Sequence, residues 1–426
     1  MSVGSSLLLV TMVGALALGL GACGGGAASA ASPPPVASSV TAARPGSPVA
    51  PEASACATPR ASARATPRAS ATGIAAPDSP PLVGDPGKLP AIDLPGRVLR
   101  LRSWWNVVDH SDRFLAVNRA VAGAPTAQDA DGIREEHHLI DLQSGARRLV
   151  RRHCVAGPAW WSMARAVSDA GWLAWEEVHG QSEDRWRLYA ARFDRRTLRV
   201  GRPRLVLRGE RRRVDRPHFA LYGRRLVSVT NSYGPQSEWG SHGWAFVSDL
   251  ATGKRQVLYS APVSVGDLCV AANGTVALVE YTDPVDVHSA RFVVVRIADG
   301  KVLLRFRYRG GPVRKIAWDG RNLAWEAEQD DEASGYRIMV RRADGTVRLI
   351  SDAGLAPTLS GGTLFFTDYE ALGVDDRVIS VDLRDWTAGR LAGRGDVSTA
   401  SASPRHTVVW DDGSGDDTVV RVGRLP

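Results

Sequence analysis

The sequence predicts an all-β protein, a β-propeller of about seven four-stranded blades, and three observations carry that prediction. The phrase WLAWEEV at Trp172 returns as NLAWEAE at Asn322, with Trp175 and Trp325 150 residues apart. Five more runs of the same β-rich type occur: FLAVNRA at Phe114, RLVSVTN at Arg225, TVALVEY at Thr275, TLFFTDY at Thr363 and TVVWDDG at Thr407. The seven runs start 41 to 58 residues apart, a period that fits a propeller blade. All thirteen Trp lie between Trp104 and Trp410, so the core-forming sequence is confined to the second part of the chain.

The chain begins with an apolar run, Leu7–Leu20, that is short for a membrane span and right for the apolar region of a signal peptide. Leu20-Gly21-Ala22-Cys23 follows, then three glycines. This stretch resembles the lipobox of bacterial lipoproteins. The resemblance implies diacylglyceryl transfer to the Cys23 thiol, cleavage before Cys23, and an extracytoplasmic protein anchored to the cell membrane by lipid alone. One departure is that Met1–Ser6 holds no Lys or Arg. Residues 1–22 are thus read as a signal peptide.

Residues 23–90 are rich in Ala, Pro, Ser and Thr and include the near-perfect octapeptide repeat ATPRASAR, ATPRASAT (Ala57–Thr72). Such a composition buries too little apolar surface to fold, so a disordered tether is expected. If flexible it would span about 45 Å.

The propeller is expected over 91–426. Each of the seven runs follows a turn cluster, such as Asp169-Ala170-Gly171, Asn273-Gly274 or Asp319-Gly320. Asn-Gly and Asp-Gly tolerate positive φ and favour hairpins. A polar loop and a second hairpin come next, as in Trp244–Tyr259 or Arg291–Arg307. Each unit therefore reads as four antiparallel strands, and the seven runs are the second strands. Along each, alternate residues face opposite neighbours, so Leu323 and Trp325 should meet one blade and Ala324 the other. The last unit, from Val397, supplies only three strands. Gly96–Ser103 can supply the fourth and close the ring. An open solenoid would need caps, and none is visible. Six or eight blades stay open because the first unit is the least regular. The turn-then-ΦAΦ pattern, as in SDAGWLAW (Ser168–Trp175), resembles the TolB-like propeller repeat. That family implies a fold and an extracytoplasmic location, and no particular chemistry.

The chain is basic, with formal charge +8 and a pI near 9.6, but its charges are segregated. The loops between second and third strands share one face of the disc. Taken as 121–136, 176–184, 231–242, 281–289, 326–335, 367–376 and 411–417, they hold 24 of the 45 acids and one base, Arg134. An acidic binding face is expected there, with Glu176, Glu177, Glu326, Glu328, Asp330, Asp331, Asp368, Asp411 and Asp412 as candidate partner-binding residues. Tyr233 and Trp239 join them as loop aromatics. Trp160, Trp161 and Trp244 are read as core. The bases sit on fourth strands, for example Arg151, Arg152, Arg204, Arg255 and Arg305. There they block edge-to-edge pairing and do not point to nucleic acid.

No cofactor or metal site is expected. DADG (Asp129–Gly132) and DDGSGDD (Asp411–Asp417) suggest calcium but lack the EF-hand spacing. His137 and His138 are adjacent on a strand and face opposite ways. Cys154 and Cys269 fall in non-adjacent repeats, so buried free thiols are expected over a bridge. No G-x-S-x-G elbow is present. The sequence thus points to a monomeric, non-enzymatic binding or scaffold protein whose acidic face takes a cationic protein segment or ligand. The alternative is a glycan- or peptide-active enzyme with a carboxylate site on that face.

Overall fold

Four antiparallel strands recur seven times around a ring in the computed structural model. It describes residues 74–75, 80–101, 105–110, 114–120, 134–154, 161–179, 185–210, 216–233, 240–281, 289–328, 336–368, 377–391, 401–402, 407–411 and 418–424. All of them belong to one compact unit, Thr66–Pro426. At some strand ends, Cys154, Tyr233 and Asp411 among them, the backbone alone is described. Cys23, Trp239, Asp330, Asp331 and Asp412 lie outside the described residues.

Blade 1 is built from Trp105–His110, Phe114–Ala120, Arg134–Asp141 and Arg147–Cys154. Blade 2 comprises Trp161–Asp169, Trp172–His179, Arg185–Asp194 and Arg204–Glu210, with Arg199–Val200 as a short extra pairing. Blade 3 holds His218–Tyr222, Arg225–Tyr233, Gly240–Asp249 and Arg255–Ala261. Blade 4 runs Val265–Val270, Thr275–Tyr281, Ser289–Arg296 and Val302–Arg309. Blade 5 is Val313–Trp318, Leu323–Glu328, Tyr336–Arg341 and Val347–Ser351. Blade 6 is Gly354–Ser360, Thr363–Asp368, Arg377–Asp382 and Ala388–Leu391. Blade 7 takes Ser401–Ala402, Thr407–Asp411 and Thr418–Arg424 from the C-terminal end and Gly96–Leu101 from the N-terminal side. The seven β-rich runs are the seven second strands, and Gly96–Leu101 supplies the missing outer strand, pairing Leu99 with Val420.

Seven apolar clusters, one per blade interface, hold the ring. Leu323 and Trp325 enter the cluster shared with blade 4, beside Phe292 and Tyr308. Ala324 enters the one shared with blade 6, beside Phe366 and Ile379. Strand alternation thus feeds both neighbours from one strand. The last interface joins Leu99, Val420 and Val422 of blade 7 to Leu115 and Ile140 of blade 1. The hairpin turns use left-handed backbone where the sequence placed glycine: Gly274 has φ +76, and a Cβ there would meet the Tyr222 hydroxyl at 2.9 Å.

Folded chain begins before residue 91, where the tether was expected to end. Ile74–Ala75 pairs in parallel with Tyr308 and Arg309 on the outer edge of blade 4. Leu82 and Val83 donate backbone hydrogen bonds to Leu349 (3.2 Å) and Ile350 (2.8 Å) of blade 5. Ala91–Ile92 pairs in parallel with Arg390 and Leu391 of blade 6. Val83 is 2% exposed and packs with Ile350 and Leu383. The N-terminal segment is therefore a belt along three rims that leads into the closing strand of blade 7. Composition hid it, because single apolar residues such as Val83 and Ile92 anchor it without a periodic pattern.

Candidate functional site at the channel mouth

First strands line the central channel, and their starts share one face of the disc with the ends of the second strands. That face was expected to be acidic loop. The second strands extend further than the sequence suggested, so Glu176, Glu177, Glu326, Glu328 and Asp368 are strand residues. All but Glu328 are buried. Burial of Glu176 and Glu177 is tolerated because arginines meet them. Arg216 of blade 3 grips Glu176 with Nε and Nη2, both at 3.1 Å. Arg151 of blade 1 reaches Glu177 at 3.0 Å, and Arg152 reaches Glu136 at 2.8 Å. Arg291 pairs with Glu280 and Arg314 with Glu328, each at 2.9 Å. Several fourth-strand bases therefore do more than guard an edge: Arg151 ties blade 1 to blade 2, and Arg305 reaches the Tyr259 hydroxyl of blade 3 at 3.0 Å.

A second set of contacts stitches the second strands of blades 1, 3 and 5 to the next blade's first strand. Asn118 donates to the Met163 carbonyl at 2.8 Å. Asn231 accepts from the Val265 amide at 2.8 Å and donates to the Val265 carbonyl at 3.0 Å. Glu326 accepts the Ala356 amide at 2.7 Å. Asn118, Glu176 and Glu326 each stand three residues after the recurring Leu of the phrase, at Leu115, Leu173 and Leu323. Part of what read as an acidic face is thus the interblade seam.

The channel mouth itself holds a chain of polar groups from successive first strands. Arg165 of blade 2 lies 3.9 Å from Asp109 of blade 1 and 5.2 Å above the Phe219 ring of blade 3. His218 Nδ1 of blade 3 donates to Asp267 Oδ1 of blade 4 at 3.0 Å. The other Asp267 oxygen accepts the Ile316 amide of blade 5 at 3.1 Å, and Asp109 accepts the Ala166 amide at 3.3 Å. Ile316 and Ala166 lie opposite Trp325 and Trp175, so these are the same place in two blades. The first strands of blades 1, 2, 4, 5 and 6 each bulge near this level, which turns such side chains toward their neighbours.

Electrostatics distinguish the half-buried Asp267 from the buried Glu326 of the seam. Burial works against the Asp267 charge, but the hydrogen bond and charge of His218, Arg165 and the Ile316 amide outweigh it and hold the carboxyl below the ordinary aspartate range. Burial dominates at Glu326 and lifts its carboxyl above the ordinary glutamate range, against the Ala356 amide and the Lys315 and Arg314 charges. Burial also pushes Tyr281 up to about 12 and Cys269 up to about 11. Cys269 is a free thiol beside the Trp318 carbonyl.

His218, Asp267, Arg165 and Asp109 were not singled out in the sequence. Their signal is a repeat-length one, since His218 and Asp267 are 49 residues apart, about one blade. Trp161 and Trp244, expected in the core, are half-buried. Trp161 lies under the Arg187 guanidinium at 4.0 Å, and Trp244 lies beside His242 at 4.4 Å. His137 and His138 take different partners, Asn118 and Glu136. Among the described residues, no group of three or more His, Cys, Asp or Glu is placed to hold a metal ion.

No family model and no curated protein matches the chain. Solved structures do resemble it. The β-propeller domain of the Trilobed protease from Pyrococcus furiosus is 11% identical, with a TM-score of 0.49 over 73% of this chain and 92% of that one. Uncomplexed acylaminoacyl peptidase from Pyrococcus horikoshii is 12% identical, with a TM-score of 0.50 over 76% of this chain, which spans about half (52%) of the peptidase. An oligogalacturonate lyase in complex with manganese is 13% identical, with a TM-score of 0.47 over 78% of this chain and 98% of that one. At such identities the likeness concerns the fold alone, and the fold of this chain is a seven-bladed β-propeller.

Proposed function

We propose that this propeller is a non-enzymatic binding or scaffold protein, held outside the plasma membrane by a lipid on Cys23, that takes a cationic protein segment or ligand on its loop-bearing face. The TolB-like turn pattern and the lipobox-like Leu20–Cys23 belong to this reading. One observation supports it most. Glu136, Glu176, Glu177, Glu280 and Glu328 are each ion-paired to an arginine, so the strand ends form a braced platform. In this reading the partner meets acids that follow those strands in sequence, such as Asp330, Asp331 and Asp412. Fixed strand ends suit loops that bind, because the scaffold loses little entropy when a partner docks.

The test is calorimetric titration of the full chain with a lysine-rich peptide, before and after charge reversal at Asp330, Asp331 and Asp412. Weaker binding is expected after reversal; unchanged affinity sinks the acidic-face reading. For the anchor, Cys23→Ser should move the protein from membrane to soluble fractions, and retention in the membrane would refute it.

The second reading, an enzyme acting on a glycan or peptide, draws on the His218–Asp267 pair of the first strands and the raised Glu326 carboxyl in the interblade seam. Turnover by the full chain that His218→Ala abolishes would favour it over the first.

A further inference from the structure

Blade 3 carries an unrelated feature at the opposite end of its strands. A cavity of about 530 Å³ lies between the turn into its second strand and the turn into its fourth. Arg224 and Arg225 line it from the first turn, Lys254 and Arg255 from the second. Asp249 is the one acid among these lining residues, and it is already committed. Its Oδ1 accepts the Ala251 and Thr252 amides, both at 2.9 Å, and its Oδ2 pairs with Arg224 at 2.9 Å.

The remaining bases are held ready. Arg255 lies 3.6 Å from the Phe246 ring centroid, a stacking that fixes the guanidinium plane and leaves its N–H groups to point elsewhere. Neither Arg225 nor Lys254 has a carboxylate within ion-pair range among the described residues. The matching turns of blades 4 and 6 differ: there Arg296 pairs with Asp299 and Arg384 with Asp382, inside the same turn. In blade 3 the turn acid is taken by Arg224, and the lining bases exceed the acid by three charges. The turn is also braced from blade 2, where Arg204 donates to the Leu250 carbonyl at 3.0 Å.

Bases at the start of an outer strand discourage edge pairing, but that role requires no cavity and no in-turn acid diverted elsewhere. A carboxylate ligand would offset one positive charge of three. A tetrahedral oxyanion of charge two, with several acceptor oxygens, matches two guanidinium forks and an ammonium better. We infer that the Arg225–Lys254–Arg255 cavity binds a phosphate-class oxyanion, either free in solution or borne on a lipid headgroup. This goes beyond the loop-face reading and is independent of it, since the cavity is at the other end of the strands.

The experiment uses the full chain in two arms: calorimetry with inorganic pyrophosphate, and flotation with phosphatidic acid vesicles, whose headgroup is a phosphomonoester, in a phosphatidylcholine background. Arg225→Ser with Lys254→Ser should weaken binding by about tenfold or more. A control, Arg100→Ser with Arg208→Ser, removes the same charge from the outer strands of blades 7 and 2 and should bind as the parent does. Melting temperatures confirm that both variants fold. Loss confined to the pyrophosphate arm identifies a free anion as the ligand, and loss confined to the vesicle arm identifies a headgroup. Absence of saturable binding in both arms, or equal loss in the control, overturns the inference.

Discussion

Trp175 and Trp325 occupy the same place in blades 2 and 5, but among the described residues only Trp175 finds an acceptor for its indole N–H. Trp175 Nε1 donates to Glu177 Oε1 at 2.9 Å, while Trp325 Nε1 is buried with no acceptor among the described residues. The difference lies two residues on, where blade 2 has Glu177 and blade 5 has Ala327. Both rings are fully buried. An unbonded indole in a core is a standing cost that packing must outweigh, and Trp325 packs against Phe292 at 4.9 Å and Tyr308 at 5.3 Å.

That difference makes the two tryptophans unequal under one substitution. Trp175→Phe removes a hydrogen bond to a buried carboxylate as well as ring volume, whereas Trp325→Phe removes volume and an unbonded donor. Trp175→Phe should be more destabilising by about 1.5–3 kcal/mol in urea unfolding. Equal losses would show that the Glu177 bond contributes little.

Asp267 should give the fold an acid-sensitive joint. Its carboxyl is depressed in the folded state, so its contribution is full above the ordinary aspartate range and is lost as pH falls through the folded value. Asp267→Asn should cost about 1.5–3 kcal/mol near pH 7 and progressively less on acidification. A deficit that does not change with pH would refute the ion-pair role.

Glu326 should behave in the opposite sense. Its carboxyl is raised by burial, so its contribution is full below the ordinary glutamate range and is lost as pH rises through the folded value. Glu326→Gln keeps an oxygen for the Ala356 amide and removes the charge. Relative to the parent, the variant should gain stability between acid and neutral pH. A relative loss over that window in paired unfolding curves would contradict the raised carboxyl.

The belt should be part of the cooperative fold. A chain beginning at Gly96 loses the Val83 packing and the added strands on blades 4 and 6, and should melt several degrees below one beginning at Ile74. Val83→Asp in the full chain should cost about 2–4 kcal/mol, because it buries an unpaired charge. Identical melting of the two truncated chains would show that the belt rests on the rim without stabilising it.

The ring was legible because its signals are local and repeat. Turn chemistry precedes each second strand, and alternation sends Trp325 and Ala324 into different interfaces. The strap at Gly96 was legible by arithmetic, since the last unit lacks a strand. The belt was not, because two-residue pairings such as Ala91–Ile92 leave no periodicity. The site was legible only in outline. Glu176 reads as a loop acid until Arg216, 40 residues away in sequence, is seen to hold it. The His218–Asp267 pair needs two blades already placed side by side.

The belt also decides where a pull on the chain is felt. Tension applied N-terminal to Ile74 arrives at the rim of blade 4, three blades away from the closure. To open the ring it must first strip Ile74–Ala75, then the Leu82–Val83 contacts, then Ala91–Ile92, before it loads the six-residue strand Gly96–Leu101. Each attachment is short and yields alone, so the belt works as a series of mechanical fuses that give way in order while the closure stays shut.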